Sequence, residues 1–284
     1  MEKHNPTIAF QGEHGAFSEA AAFATFGNNV NTLPCESFEG VFQAVKSGLA
    51  NQGLIPIENS LAGSIHQNYD LLLKYDLFIT GEHYLQINHC LIGFPDSNIQ
   101  SLNQVISHPQ ALAQCAGYLS RLPNVKVSAV YDTAGSVKML KESGERTTAA
   151  IASERAAEIY NMRILDRGIQ DNAKNFTRFL KINPTAVTPS SMAKTSLVFS
   201  LNHQPGALFE ALRVFASRKI NLLKLESRPW VGKMWEYLFY IDFEGSVEDQ
   251  TVAEALEELQ KFATLFRVLG SYSRDASQMN LLQS

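Results

Sequence analysis

A chain of 284 residues that is 45% hydrophobic and 18% charged can bury a core, and its length suits two domains. A formal charge of −4, without any long Lys/Arg run, gives no electrostatic reason to expect nucleic acid as a partner. Apolar runs stay far below the ~18 residues of a membrane span. The start, MEKHNPTIAF, lacks the basic-then-apolar order of an export signal, so no membrane association and a cytoplasmic location are expected. Cys35, Cys90 and Cys115 are scattered and odd in number, which fits small core residues in a reducing compartment.

In chain order, short apolar runs alternate with helical patterns. TIAFQ leads to GAFSEAAAFATF, VNTL to FEGVFQAVKSG, and QGLIPIEN through SLAGS to IHQNYDLLLKY. Later QVISH leads to PQALAQCAGYLSRL, VKVSAVY to DTAGSVKMLKES, and TAAIAS to ERAAEIYNM. Such alternation implies a largely parallel sheet covered by helices. Between the two groups lies the long extended stretch LFITGEHYLQINHCLIGF, which suits two α/β lobes joined by extended crossovers. His83 and His89 share one face of that apparent strand, but six residues of strand hold them about 20 Å apart, too far for a shared ion. No metal and no other cofactor is expected.

INPTAVTPSSMAK has the composition of a linker. A strand from Thr195 to Asn202, a helix opened by PGALFEALRVFAS, the strands INLLKLESRPWV and MWEYLFYIDFEG, a helix near Val252–Ala263 and a strand from Leu265 follow. The order βαββαβ is ferredoxin-like.

Two features point to chemistry. Each strand-to-helix junction of the first part carries small or polar residues: QGEHGAFS, ENSLAGS, SHPQ, DTAGS and AS. Any one alone reads as an ordinary helix cap or turn. Together they would place several helix N-termini around one cleft, with free N–H groups suited to an anion. Ser107 and Gln114 are nearly two helical turns apart and are expected to meet on one side of a helix. In DNAKNFTRFLKI, Phe176, Arg178 and Leu180 share one strand face, while Asn175, Thr177, Phe179 and Lys181 share the other. Each face mixes polar with apolar, so neither reads as plain core or as plain solvent-exposed surface.

PIENSLAGSI, SHPQALAQC, DTAGS and above all NFTRF resemble the signature of prephenate dehydratase, and PGAL and ESRP resemble its C-terminal ACT regulatory domain. The likeness spans nearly the whole chain in the family's order. It implies an α/β architecture: a two-lobed, type II periplasmic-binding-protein-like catalytic domain (residues 1–183), a linker (184–193) and a ferredoxin-like ACT domain (194–284). It also implies decarboxylative dehydration of prephenate to phenylpyruvate in the biosynthesis of L-phenylalanine, with feedback inhibition by that amino acid. Thr177 is implied at the leaving hydroxyl; a threonine is too weak an acid to act alone, so it reads as a hydrogen-bond donor that relays a proton, with Glu58 as a candidate source if burial raises its pKa. Asn59, Ser107 and Gln114 match active-site positions, and Ser60, Thr133, Arg178 and Phe179 match substrate-binding ones. Arg178 suits a carboxylate or a structural ion pair equally. Gly206, Ala207 and Leu208, with Glu226, Ser227, Arg228 and Pro229, are implied as one effector pocket between paired ACT domains, in a homodimer or dimer of dimers. Two other readings stay open: a two-lobed solute-binding sensor, since fold does not fix function, and arogenate as the substrate.

Overall fold

In the computed structural model residues 5–275 are described, so the outermost residues of the expected domains, 1–4 and 276–284, lie outside the described residues. The chain forms two compact units, Met1–Tyr69 with His83–Phe179 and Asp70–Glu82 with Leu180–Ser284.

The first sheet comprises β1 (Thr7–Gln11), β2 (Asn31–Cys35), β3 (Gln52–Asn59), β4 (Gly63–Ser64), β5 (Phe78–Gln86) and β11 (Phe176–Asn183). Its order is β2-β1-β3-β11-β5, with β4 folded back on β3. β1 runs parallel to β2 and β3, as their helical connections α1 (Phe17–Phe26) and α2 (Phe38–Lys46) require. α3 (His66–Lys74) follows β4. Ile8, Ala21, Ala22, Leu54 and Phe179 form a buried core between this sheet and α1.

The second sheet comprises β6 (Cys90–Gly93), β7 (Gln104–Ser107), β8 (Lys126–Ala129), β9 (Thr148–Ala152) and β10 (Arg163–Arg167), in the order β10-β6-β9-β7-β8. Its helices are α4 (Pro109–Gln114), α5 (Ala116–Leu119), α6 (Thr133–Ser143) and α7 (Glu154–Ile159). β7 is parallel to β8 and β9, but β6 is antiparallel to β9 and β10, so this sheet is mixed where a largely parallel one was expected. The reason lies in the extended stretch of residues 77–94. It breaks at Ile87–His89 and delivers β6 from the first sheet to the second without a helix.

Three helix starts carry serine or aspartate caps. Ser37, Asp132 and Ser153 accept from the N–H of Gly40, Gly135 and Ala156, at 3.1, 2.7 and 3.0 Å. α1 differs: its N-cap is Ala16, which offers no side-chain acceptor. The turn before it is held by Glu19, which accepts from Gly15 N (2.7 Å), Thr32 Oγ1 (2.8 Å) and Arg155 Nε (3.1 Å) and contacts His14 Nδ1 (2.7 Å). Gly15 is required there: its φ is +92°, and a Cβ would come within 2.7 Å of Ala156 Cα. Burial alone would raise the Glu19 carboxyl, but these hydrogen bonds outweigh it and hold the group below its ordinary value. A carboxylate so held contributes stability above the unfolded value of ~4.3 and loses it as pH falls and the folded group protonates. Glu19→Gln is therefore expected to lower the thermal midpoint at neutral pH, by a margin that shrinks below about pH 4. A margin that stays constant from neutral to acid pH contradicts this.

The third sheet, β13-β14-β12-β15, is antiparallel throughout. Its strands are β12 (Ala193–Leu201), β13 (Leu222–Pro229), β14 (Tyr237–Glu244) and β15 (Ala263–Ser273), with helices α8 (Ala207–Ser217) and α9 (Gln250–Gln260). Leu197, Phe199, Val214, Phe215, Phe243 and Leu259 are central to its core. The same unit takes in Asp70–Glu82, which a single cut after residue 183 assigns elsewhere. Three cations explain why. Arg267 donates to the carbonyls of Leu73, Tyr75 and Leu77 (3.1, 2.9 and 3.1 Å), Arg228 pairs with Asp70 (2.8 Å), and Lys194 with Glu82 (2.7 Å). Gly270 completes the fit, since a Cβ there would lie 2.0 Å from the Ile79 carbonyl oxygen. Among the described residues no helix is long and apolar enough to cross a membrane.

Candidate active site

A cleft of about 360 Å³ opens in the first unit. First-turn residues of four helices line it: Phe17 and Ser18 of α1, Phe38 of α2, Gln110 and Ala111 of α4, and Thr133 of α6. Gln11, Pro56, Asn59, Thr177 and Phe179 reach it from β1, β3 and β11. The expected convergence of helix N-termini on one cleft is thus present. Among the described residues its lining contains no Lys or Arg. An anion held here relies on N–H groups, amides and hydroxyls, and the uncapped start of α1 keeps its first N–H groups unclaimed by a side chain.

Five of the sequence-predicted residues line the cleft: Asn59, Gln114, Thr133, Thr177 and Phe179. At its centre, Asn59 Oδ1 accepts from the backbone N–H of Leu61 (3.1 Å) and Ala62 (2.9 Å). Asn59 Nδ2 therefore points the other way, to Asn175 Oδ1 (2.7 Å), the Phe176 carbonyl (3.1 Å) and Thr177 Oγ1 (3.0 Å). Because the lone pair of an amide nitrogen is delocalised and Nδ2 only donates, Thr177 can only accept from it, and the threonine's own proton is left to donate elsewhere.

Four predicted residues lie off the lining. Ser107 ends β7, two residues before the short helix begins at Pro109, so it does not share a helix face with Gln114. It is fully buried, and its hydroxyl donates to the Ile151 carbonyl at 2.6 Å. Arg178 is buried on the opposite face of β11 from Thr177 and pairs with Glu58 at 3.0 Å. Strand alternation forces this: if 177 and 179 face the cleft, 178 cannot. Ser60 ties the β3–β4 turn to β11, donating to the Lys174 carbonyl and accepting from Phe176 N, both at 3.0 Å.

Residues not predicted also line the cleft, notably His89, His108, Tyr131 and Asp132. Burial raises the Asp132 carboxyl, against the lowering pull of the Gly135 N–H that it caps. Burial and the hydrogen bond to Glu13 push the Tyr131 phenol up to about 12. His89 Nε2 lies 2.8 Å from Gln114 Oε1, an oxygen that can only accept, and burial lowers the pKa of the ring against that contact. Among the described residues no cluster of three His, Cys, Asp or Glu could hold a metal ion.

Residues 8–186 match the family model for prephenate dehydratase. The chain belongs to the prephenate dehydratase family. Residues 195–260 match the ACT domain model, on the βαββαβ unit. An arogenate dehydratase/prephenate dehydratase of Arabidopsis thaliana is 47% identical over 283 residues, covering 96% of this chain and 74% of that one. Among solved structures, prephenate dehydratase of Arthrobacter aurescens in complex with L-Phe is 32% identical, with a TM-score of 0.88 over 94% of this chain and 90% of that one. A chain described as a novel type of quorum quenching acylase is 36% identical, with a TM-score of 0.89 over 96% and 99%. This member of the family is accordingly a lyase of the prephenate/arogenate dehydratase type with a periplasmic-binding-protein-like catalytic part and an ACT domain.

In the ACT domain, Ala207 and Leu208 line a pocket of about 160 Å³ with Asn202, His203, Trp235 and Tyr237. Gly206 and Ala207 line a second, of about 480 Å³, with Arg213 and Glu258. Glu226, Ser227, Arg228 and Pro229 line neither. They form the edge strand β13, where Arg228 is committed to Asp70 and Glu226 lies 3.7 Å from Lys224.

Proposed function

We propose that the chain converts prephenate to phenylpyruvate in this cleft and that L-phenylalanine, bound by the ACT domain, inhibits it. The C–C bond to the ring carboxylate breaks, its electrons aromatise the ring, and the C–O bond to the ring hydroxyl breaks. The dianion thus yields phenylpyruvate, carbon dioxide and hydroxide, and the hydroxide takes a proton to become water. Aromatisation drives the step, so the protein's task is to stabilise charge building on a poor leaving group. The observation that carries the reading is Thr177, held by Asn59 so that its proton is free to donate into the cleft. Helix N-termini and the Gln114 amide hold the carboxylates without a cation. Glu58, paired with Arg178, orders β3 beside β11.

The test is incubation with prephenate and, separately, arogenate. Phenylpyruvate from prephenate is expected as the faster reaction. Phenylalanine from arogenate at the higher kcat/KM reverses the substrate assignment, and turnover of neither refutes it.

For the effector, an amino-acid carboxylate suits the start of α8, where the N-cap Gly206 brings no side chain to cap the first turn. Trp235 lines the neighbouring pocket, so L-phenylalanine is expected to change tryptophan fluorescence as it inhibits. At 100 times its Kd it would also stabilise the chain by about 2.7 kcal/mol. Self-association through the ACT domain is supported by exposed Phe209, Leu225, Val231, Met234 and Trp235. Inhibition without any fluorescence or stability response moves the effector site away from this pocket.

A further inference from the structure

We infer that Asn175 and His89 are positioning residues, the far end of a buried hydrogen-bond chain that holds Thr177 as a donor and turns the Gln114 amide nitrogen toward the cleft. The inference rests on the reading of Thr177 given above, but its polarity follows from groups that cannot flip. The two backbone N–H groups of Leu61 and Ala62 claim Asn59 Oδ1. Asn59 then presents Nδ2 to Asn175, which must answer with Oδ1 (2.7 Å). Asn175 Nδ2 therefore faces Gln114 Oε1 (3.0 Å). The same Oε1 meets His89 Nε2 at 2.8 Å, so that nitrogen carries the proton. Three amides and an imidazole are thus oriented from a single turn after β3.

The burial is what makes the chain rigid. Asn175 is 0% exposed and His89 2% exposed, so a reversed amide would set donor against donor with no water to relieve it. The chain also accounts for two otherwise loose ends. His89 Nδ1 is buried without a partner, as expected of a bare lone pair on a neutral ring whose other nitrogen is the donor. The ring is packed edge-on against Phe17, at 5.3 Å between centroids, which fixes its plane. Gln114, its oxygen doubly claimed, has only its NH₂ to offer the cleft, and that group is the kind of donor a carboxylate needs.

The direct test is the ring nitrogen NMR of His89 in the full chain, unliganded and at neutral pH. The neutral form protonated at Nε2 is expected. The form protonated at Nδ1, or a doubly protonated ring, overturns the inference, whatever substrate the enzyme proves to use. A double-mutant cycle then separates positioning from bulk structure. His89→Leu is expected to lower kcat about 10-fold or more with KM changed less than about 3-fold, and His89→Gln, which restores a donor, to recover most of the loss. In a Thr177→Ala background His89→Leu should cost less than in the parent, the remainder being its effect on the Gln114 amide. Equal losses in the two backgrounds overturn the positioning role. If His89→Leu does not fold, the NMR result alone decides. If Thr177→Ala proves fully active, the reading of Thr177 fails, while the tautomer still tests the chain.

Discussion

Thr177→Ala is expected to reduce kcat roughly 10²-fold or more, about 2.7 kcal/mol of transition-state stabilisation, with KM changed only a few-fold. The split follows from where the groups lie. Thr177 is the one hydroxyl whose acceptor role is filled by Asn59 at 3.0 Å while its proton stays available to the cleft. The groups suited to carboxylates, on α1, α4 and α6, are untouched by the change. Folding should not obscure the result. Asn59 Nδ2 has two protons, and Asn175 Oδ1 at 2.7 Å and the Phe176 carbonyl at 3.1 Å remain to accept them. No buried donor is orphaned, so the cost to stability should stay near that of a small truncation. Thr177→Ser keeps the oxygen and should retain most of the activity. Steady-state kinetics of the two variants on prephenate check the claim: near-normal turnover by Thr177→Ala removes Thr177 from the reaction.

The stretch around Thr177 also shows how much can be read without coordinates. The β-α alternation, the βαββαβ order and the gathering of helix starts were legible because each is a local pattern of period two or 3.6 with turn residues between. Membership of the ACT and dehydratase families was legible from NFTRF, ESRP and PGAL. Side-chain direction at a strand end was not. Ser107 and Gln114 look like partners if the helix is assumed to start at Ser107, but β7 runs through Ser107 and turns its hydroxyl to Ile151. His89 was dismissed as one of a strand-separated pair, and the break at Ile87–His89 that swings it into the cleft has no Gly or Pro to announce it. The missed signal was Asn175, which the alternation already puts on the face of Thr177 but to which no role was given. The place of Asp70–Glu82 in the C-terminal unit was invisible for a different reason: it depends on Arg228, Lys194 and Arg267, more than 100 residues further along the chain.

Of these three tethers, Lys194–Glu82 should carry the largest energetic consequence. Arg228–Asp70 is partly solvated, with Asp70 40% exposed, and pairs of that kind contribute about 1 kcal/mol or less. Lys194 is 1% exposed and donates to both oxygens of a Glu82 carboxylate that is fully buried, at 2.7 and 2.8 Å. Removing the cation alone takes from a buried carboxylate the donor bonded to both its oxygens, so Lys194→Met is expected to cost about 3–5 kcal/mol. Replacing both partners, Lys194→Met with Glu82→Leu, takes the charge away too and should recover most of that loss. Both tryptophans, Trp230 and Trp235, lie in the same unit, so their fluorescence in urea follows its unfolding directly. The decisive quantity is the order of the midpoints: single variant well below the double variant, and the double near the parent. A single variant as stable as the parent means that the pair is solvated in solution. A double variant weaker than the single means that the pair's packing, not its charge, holds Asp70–Glu82 in place.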